Sequence, residues 1–364
     1  MKSETITFKK SVNSKLQKSK KNYTIEIFRL ISAVLVVAIH TKPFFDINFH
    51  FGILFQVITN VAVPFFFCIS GYFISMKLRE KENYIKNYSI KILKLYVFWS
   101  IVYFAYDFLY ERIYKKDYDF WYAIASYLRQ SIFSGSHFHL WFLPSLICAV
   151  ILLNYFIKRN VSLKMISIIS IGLFILGLIG HPEEYYRLFI NGYGQNIINI
   201  YNKIFITTRN GLFFAFPMVF LGYYLGINKE KYKSYKYKKI LFSLLICLIL
   251  SCIEIYFSRH LGAENIRLEM NIFLPLSMYY LMILIIKDPL NKYHNKIVDL
   301  DLSLGIYVIH GIFLIFIPKF MKILEMNNSS TINFILVLIF SMITTILLKF
   351  LVKKKKFVII KNFI

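Results

Sequence analysis

Long apolar runs separated by short polar and basic stretches set the pattern of this chain. A helix rises 1.5 Å per residue, so about 20 apolar residues match the hydrocarbon core of a bilayer. Runs of that kind predict ten membrane-spanning helices, at about 23–41, 51–75, 90–110, 139–157, 163–180, 210–227, 239–257, 271–286, 303–320 and 331–352. Segment 120–133 is too short and mixed to cross, and its place is the membrane interface. The expected class is an all-α, polytopic integral membrane protein, since a helix satisfies its backbone polar groups without water. Three parts follow: a basic, disordered tail over 1–22, a membrane domain over 23–352 and a basic tail over 353–364.

Lysines and arginines orient the spans. The N-terminal tail holds seven lysines and one glutamate. The segments on its side of the membrane are also basic: MKLREKENYIKN, KRNVSLK, the lysine-rich stretch 228–239, the 287–301 loop and Lys353 to Lys356. The segments on the other side balance their charges, with three basic against three acidic residues in ERIYKKDYDF. By the positive-inside rule both termini are expected in the cytoplasm.

Composition agrees with this class. Of the 364 residues 57% are hydrophobic, mean hydropathy is +0.56, and the charged share of 17% lies under the ~25% usual for soluble domains. The net charge of +25 would suit nucleic acid, but no nucleic-acid-binding motif accompanies it, so no such partner is expected. Membrane lipids are the expected surroundings. Cys68, Cys148, Cys247 and Cys252 all lie in apolar runs with no CxxC, and are expected to be packing residues. The first 22 residues lack the apolar core of a cleavable signal peptide.

Against this apolar background the first span, EIFRLISAVLVVAIH, is unusual. Ionisable side chains within a span are costly and point to function. Arg29 and His40 are eleven residues apart, about three turns plus ~20°, so they share one helix face ~16 Å apart along the axis. Glu26 lies one turn before Arg29, where it can pair with the guanidinium. The competing reading has Arg29 snorkelling to the interface and His40 capping the far end.

The other polar residues divide in the same way. At the Arg29 end are Ser70 and Tyr72 at the close of the second span, with Lys91 and Lys94 at the start of the third. At the His40 end are His139, Trp141, Arg209 and Glu254, with His310 nearer mid-depth. A Ser70–His40 nucleophile pair is disfavoured, because Ser70 falls ~25 Å along a descending helix unless that span is broken. Ser70-Gly71 suits close helix packing or donor approach instead. His137 and His139, if helical, diverge by ~200° and make a poor metal chelate, so no metal is expected. Trp141 serves equally as a sugar-stacking platform or as part of the interfacial aromatic belt. Glu254 can set the tautomer of His40 or pair with Arg209 or Arg259.

These residues carry a family likeness. Glu26, Arg29 and His40, then VPFFFCISGYFI, HLWFL, FPMVFLGYYLG and SLGIYVIH resemble the acyltransferase family 3 membrane proteins. RNGLFFAFP with the later Glu254 also looks like the membrane portion of the vancomycin-resistance serine racemases. The resemblance implies a ten-span membrane O-acyltransferase of the bacterial cytoplasmic membrane. It would move an acyl group, most often acetyl, from acyl-coenzyme A to a surface glycan or lipid-linked sugar. It also implies functional roles for Arg29 and His40. Lys91 and Lys94 stand where many members have an Arg-x-x-Arg motif, keeping charge but losing the bidentate fork.

Such a transfer needs a basic mouth for the donor's phosphates, a base for the acceptor and stabilisation of the oxyanion. Arg29, Lys91, Lys94, Ser70 and Tyr72 are the candidate donor-binding residues. His40 is the candidate base, with Glu254 and Arg29 as the other candidate catalytic residues. His139, Trp141, Arg209 and His310 are the candidate acceptor contacts. The alternative reading is a transporter of a small polar solute such as an amino acid.

Overall fold

A computed structural model describes residues 22–78, 83–114, 120–180, 193–260, 269–291, 302–325, 329–354 and 363–364. All but Asn22 of the expected tail over 1–22 and much of the one over 353–364 lie outside them. The described residues form helices α1 (Tyr23–Thr41), α2 (Phe49–Thr59), α3 (Ala62–Lys77), α4 (Tyr84–Tyr114), α5 (Phe120–Phe133), α6 (Phe142–Lys158), α7 (Leu163–Gly180) and α8 (Tyr193–Phe205). A π-helical turn, Gly211–Ala215, then leads into α9 (Phe216–Ile227). The chain continues through α10 (Lys229–Lys233), α11 (Tyr237–His260), α12 (Leu274–Ile286), α13 (Ser303–Ile323) and α14 (Ser330–Lys353). Among the described residues there is no strand.

Six helical units are long and apolar enough to cross a membrane: α1, the α2–α3 unit, α4, α11, α13 and α14. Shorter apolar helices, α6, α7, α9 with its π turn, and α12, stand at the other four expected positions. The protein is thus a multi-pass helical protein. Helix α5 has the bounds expected for the interfacial segment. Helix α8 was not foreseen; it packs Tyr201 and Phe205 toward Phe213 and Phe133. The outward faces of α11 and α14 expose Leu245, Ile249, Ile339 and Leu347, as lipid contact requires.

The second span is broken, and proline explains where. Pro64 cannot donate to the carbonyl of Asn60, and its ring crowds that carbonyl, so α2 stops at Thr59 and α3 begins at Ala62. Asn60 is left at the break, facing the site described below.

Close packing of α3 on α9 rests on small residues. A Cβ at Gly71 would collide with the carbonyl of Val219, and one at Gly222 with the carbonyl of Cys68. Ser70-Gly71 does permit the close approach that its composition suggested. Tyr72, one of the candidate donor contacts, is buried with its ring edge near Gly226 and does not line the wide cavity described below.

Helix α1 is pinned at both ends. At its start the N–H and hydroxyl of Thr24 both donate to Asp288 Oδ1, at 3.1 and 2.7 Å, while Asn22 donates to the Ile285 carbonyl at 3.3 Å. Beyond its end Asp46 accepts from the hydroxyls of Ser329, Ser330 and Thr331 at the head of α14. Those bonds hold the Asp46 carboxyl well below the usual carboxylate range. The helix carrying Arg29 and His40 is therefore fixed along its axis. The final residues return to the bundle: Phe363 stacks on Phe98 at 4.3 Å, and its carbonyl accepts from Trp99 Nε1 at 2.9 Å.

Candidate active site

Two cavities lie along the Arg29–His40 face of α1. The first, of about 520 Å³, is lined at one end by Arg29, Lys77, Tyr84, Tyr88 and Lys91. Its walls run along Val36, Ile69, Ser70 and Leu146 toward Val63, Phe142 and Tyr307. The second is small, about 20 Å³, and is lined by His40, Asn60, Val63, Pro64, Trp141, Arg209 and Glu269. Val63 belongs to both linings, so the two spaces meet the same side chain.

At the wide end Arg29 pairs with Glu26 at 3.4 Å. The spacing of the first span foretold that pair. Tyr88 donates to Ser70 Oγ at 3.0 Å, and Ser70 donates to the Phe66 carbonyl at 2.8 Å. Its hydroxyl is thus held at the wide cavity, which Ser70 lines, and the break in the second span lies ten residues before it. Tyr84 and Tyr88 stack one turn apart with planes 12° from parallel, and the Lys77 ammonium lies 5.5 Å from the Tyr84 ring. Lys77, Tyr84 and Tyr88 are additions to the expected set. Lys91 and Lys94, one turn apart, are both exposed; Lys91 lines the cavity and Lys94 stands outside the lining.

At the narrow end the Arg209 guanidinium forms an ion pair with Glu269 and lies 4.7 Å from the Trp141 ring. Trp141 is buried rather than part of an exposed aromatic belt. Glu269 supplies the carboxylate of this cavity. Glu254 instead accepts the Ile272 N–H on both oxygens, at 2.9 and 3.1 Å, where it joins α11 to the start of α12. The cap of Asn210 on Leu212 and Phe213, and the π turn it opens, fix where Arg209 enters. Such turns recur at functional sites because they re-aim side chains within a helix.

Imidazoles gather behind His40. Its ring stacks on His310 at 5.5 Å, and His139 meets His310 edge-on at 4.8 Å. His137 and His139 face each other, Nδ1 to Nδ1, at 3.0 Å. Their convergence differs from the divergence expected of a helical HxH. Helix α6 begins only at Phe142, so residues 137–141 form a turn in which i and i+2 can meet. Tyr307 donates to the His139 carbonyl at 2.8 Å, and Tyr103 donates to that of Val308 at 2.8 Å. Among the described residues no three ligand-type side chains converge on a metal-sized centre.

The family described as "Acyltransferase domain" matches residues 22–353. The chain belongs to that family. Among curated proteins, the chain is similar to an amino-acid racemase of Enterococcus faecalis, 28% identical over 344 residues, which are 91% of this chain and 46% of the relative. A second Enterococcus faecalis protein of that name is 31% identical over 220 residues, 59% of this chain and 30% of the relative. A serine/alanine racemase of Enterococcus gallinarum is 30% identical over 331 residues, 88% of this chain and 45% of the relative. The chain therefore spans less than half the length of these relatives. No solved structure matches it.

Proposed function

We propose that the protein transfers an acyl group, acetyl foremost, from acyl-coenzyme A to a hydroxyl of an extracytoplasmic carbohydrate or lipid-linked sugar. The observation that carries this is the pair of cavities on one face of α1, both touching Val63, with cations lining one and His40 lining the other. Arg29, Lys77 and Lys91 offer charge-assisted donors to phosphates, which a neutral pocket would not need. Apolar walls suit the pantetheine arm, and its thioester arrives beneath Val63. His40 takes the acceptor's proton, and Arg209, next to it, offsets charge on the oxyanion. The narrow cavity, about 20 Å³, has room for about one water and not for a sugar, so the acceptor enters by parting the Arg209–Glu269 pair. In this reading the wide cavity opens to the cytoplasm, as the lysine distribution requires, the ten-span topology holds, and the cell membrane is the location. Labelled acetyl-coenzyme A given to membranes containing the protein tests it: label in glycan supports the transfer, and its absence from every glycan fraction refutes it.

A second reading has its own observation. The Arg209–Glu269 pair offers a cation and an anion side by side at His40, the complement of a zwitterionic amino acid. The relatives named racemases act on amino acids by name. Under this reading the protein carries an amino acid across the membrane. Uptake of labelled serine or alanine into proteoliposomes, with no acyl turnover, would favour it.

A further inference from the structure

We propose that His310 is a positioning residue for His40, which holds the proton that His40 withdraws from the acceptor. The argument starts from the ring's hydrogen bonds. His310 Nδ1 lies 2.7 Å from the Tyr307 carbonyl and 3.1 Å from that of Ile306. Carbonyl oxygens only accept, so Nδ1 carries the hydrogen and Nε2 carries the lone pair. That Nε2 is fully buried and has no hydrogen-bond partner. A side chain that only filled space would not bring an unsatisfied acceptor into the bundle, where a leucine or phenylalanine would pack without cost.

The surroundings of that lone pair are imidazoles. His40 stacks against the ring from α1, and His139 meets it from the turn before α6. His139 Nε2 is likewise buried without a partner, while its Nδ1 faces His137. Tyr103 from α4 stacks on His137 at 4.3 Å, and Tyr307 stands one turn before His310 on α13. Gly311 keeps the contact close, since a Cβ there would collide with the His139 ring. The outer torsion of a histidine is broad, so His40 can turn an edge toward Nε2.

The step balances as follows. The acceptor oxygen bonds to the thioester carbonyl carbon as its proton passes to His40. The carbon–sulfur bond breaks, and its electron pair leaves on sulfur. The proton is shared between His40 and His310 Nε2, while the Nδ1–H bonds to two carbonyls stabilise the added charge. The departing thiolate then takes the proton, directly or through water, and both rings return to neutral.

The kinetic part of this proposal rests on the acyl-transfer reading, and the spectroscopic part does not. In the full chain with ¹⁵N-labelled histidine rings, His310 is expected to carry hydrogen on Nδ1, and the His40 and His310 signals are expected to move in one shared transition on acidification. Hydrogen on Nε2, or two independent transitions, overturns the proposal. His310→Asn keeps an amide that can donate where Nδ1 does, but lacks Nε2. Its turnover should fall about tenfold or more at unchanged KM for acyl-coenzyme A. The dependence of turnover on deuterium fraction should change from curved to linear. Wild-type turnover, or a curve that keeps its shape, overturns the role. Should His310→Asn insert poorly, His310→Gln places an amide near Nε2 and is judged by the same curve. If wild-type protein transfers no acyl group yet the rings titrate together, the function reading fails and the ring pair stands.

Discussion

Replacing Arg29 with alanine should weaken donor binding far more than it weakens the fold, and the structure lets the two effects be compared. Arg29 lines the wide cavity and pairs with Glu26 at 3.4 Å, the two side chains being 31% and 25% exposed. A partly exposed pair at that distance contributes no more than about 1 kcal/mol. A charge-assisted bond to a phosphate contributes about 1.5–3 kcal/mol, or roughly ten- to a hundredfold in affinity. Titration calorimetry of coenzyme A into purified Arg29→Ala should therefore show Kd raised by about that factor, with little change in melting temperature. Arg29→Lys should recover part of the loss, because charge returns without the planar fork. Glu26→Gln removes the pair but keeps the guanidinium, and should leave Kd near the wild-type value. Coenzyme A bound equally well by Arg29→Ala and wild type would show that Arg29 serves only the helix.

Other predictions test other parts of the account. Gly222→Ala should lower the melting temperature, with an overpacking cost of about 1–3 kcal/mol, because the new methyl meets the Cys68 carbonyl; Gly172→Ala, with nothing within 4 Å, should not. Asp46 has a lowered folded-state pKa, so its clamp on α14 stabilises above the unfolded value of about 3.9 and is lost as pH falls below it. Melting curves of wild type should therefore drop on acidification through that range, and those of Asp46→Asn should start lower and drop less. Arg209→Ala and Glu269→Gln should raise the acceptor's KM while leaving coenzyme A affinity unchanged, as titration of each substrate would show.

What the sequence revealed of this site follows helical spacing. Arg29 and His40 share a face because eleven residues make about three turns, and the two cavities lie along that face. Pro64 marked a bend in the second span, and the helix breaks four residues earlier, at the carbonyl to which proline cannot donate. Contacts between distant segments were not readable in this way. Glu269 meets Arg209 across 60 positions, and no periodicity links a loop carboxylate to a helix start. Glu254 had the better setting, inside an apolar run, but its carboxylate serves the Ile272 N–H. The histidine cluster was hidden by a helix boundary: three residues decide whether His137 and His139 diverge or meet. Lys91 and Lys94 show the same limit, since only one of two lysines a turn apart reaches the cavity.

The central claim is that donor and acceptor approach His40 from opposite ends of one helix face. Sealed vesicles of known orientation, with labelled acetyl-coenzyme A on one side and acceptor on the other, test it most directly. The account predicts acyl transfer only when the donor is on the Arg29 side and the acceptor on the His40 side. His40→Gln, inserted at wild-type levels, should lower that transfer by about 10²–10⁴-fold. Transfer that requires both substrates on one side, or a fully active His40→Gln, would contradict it.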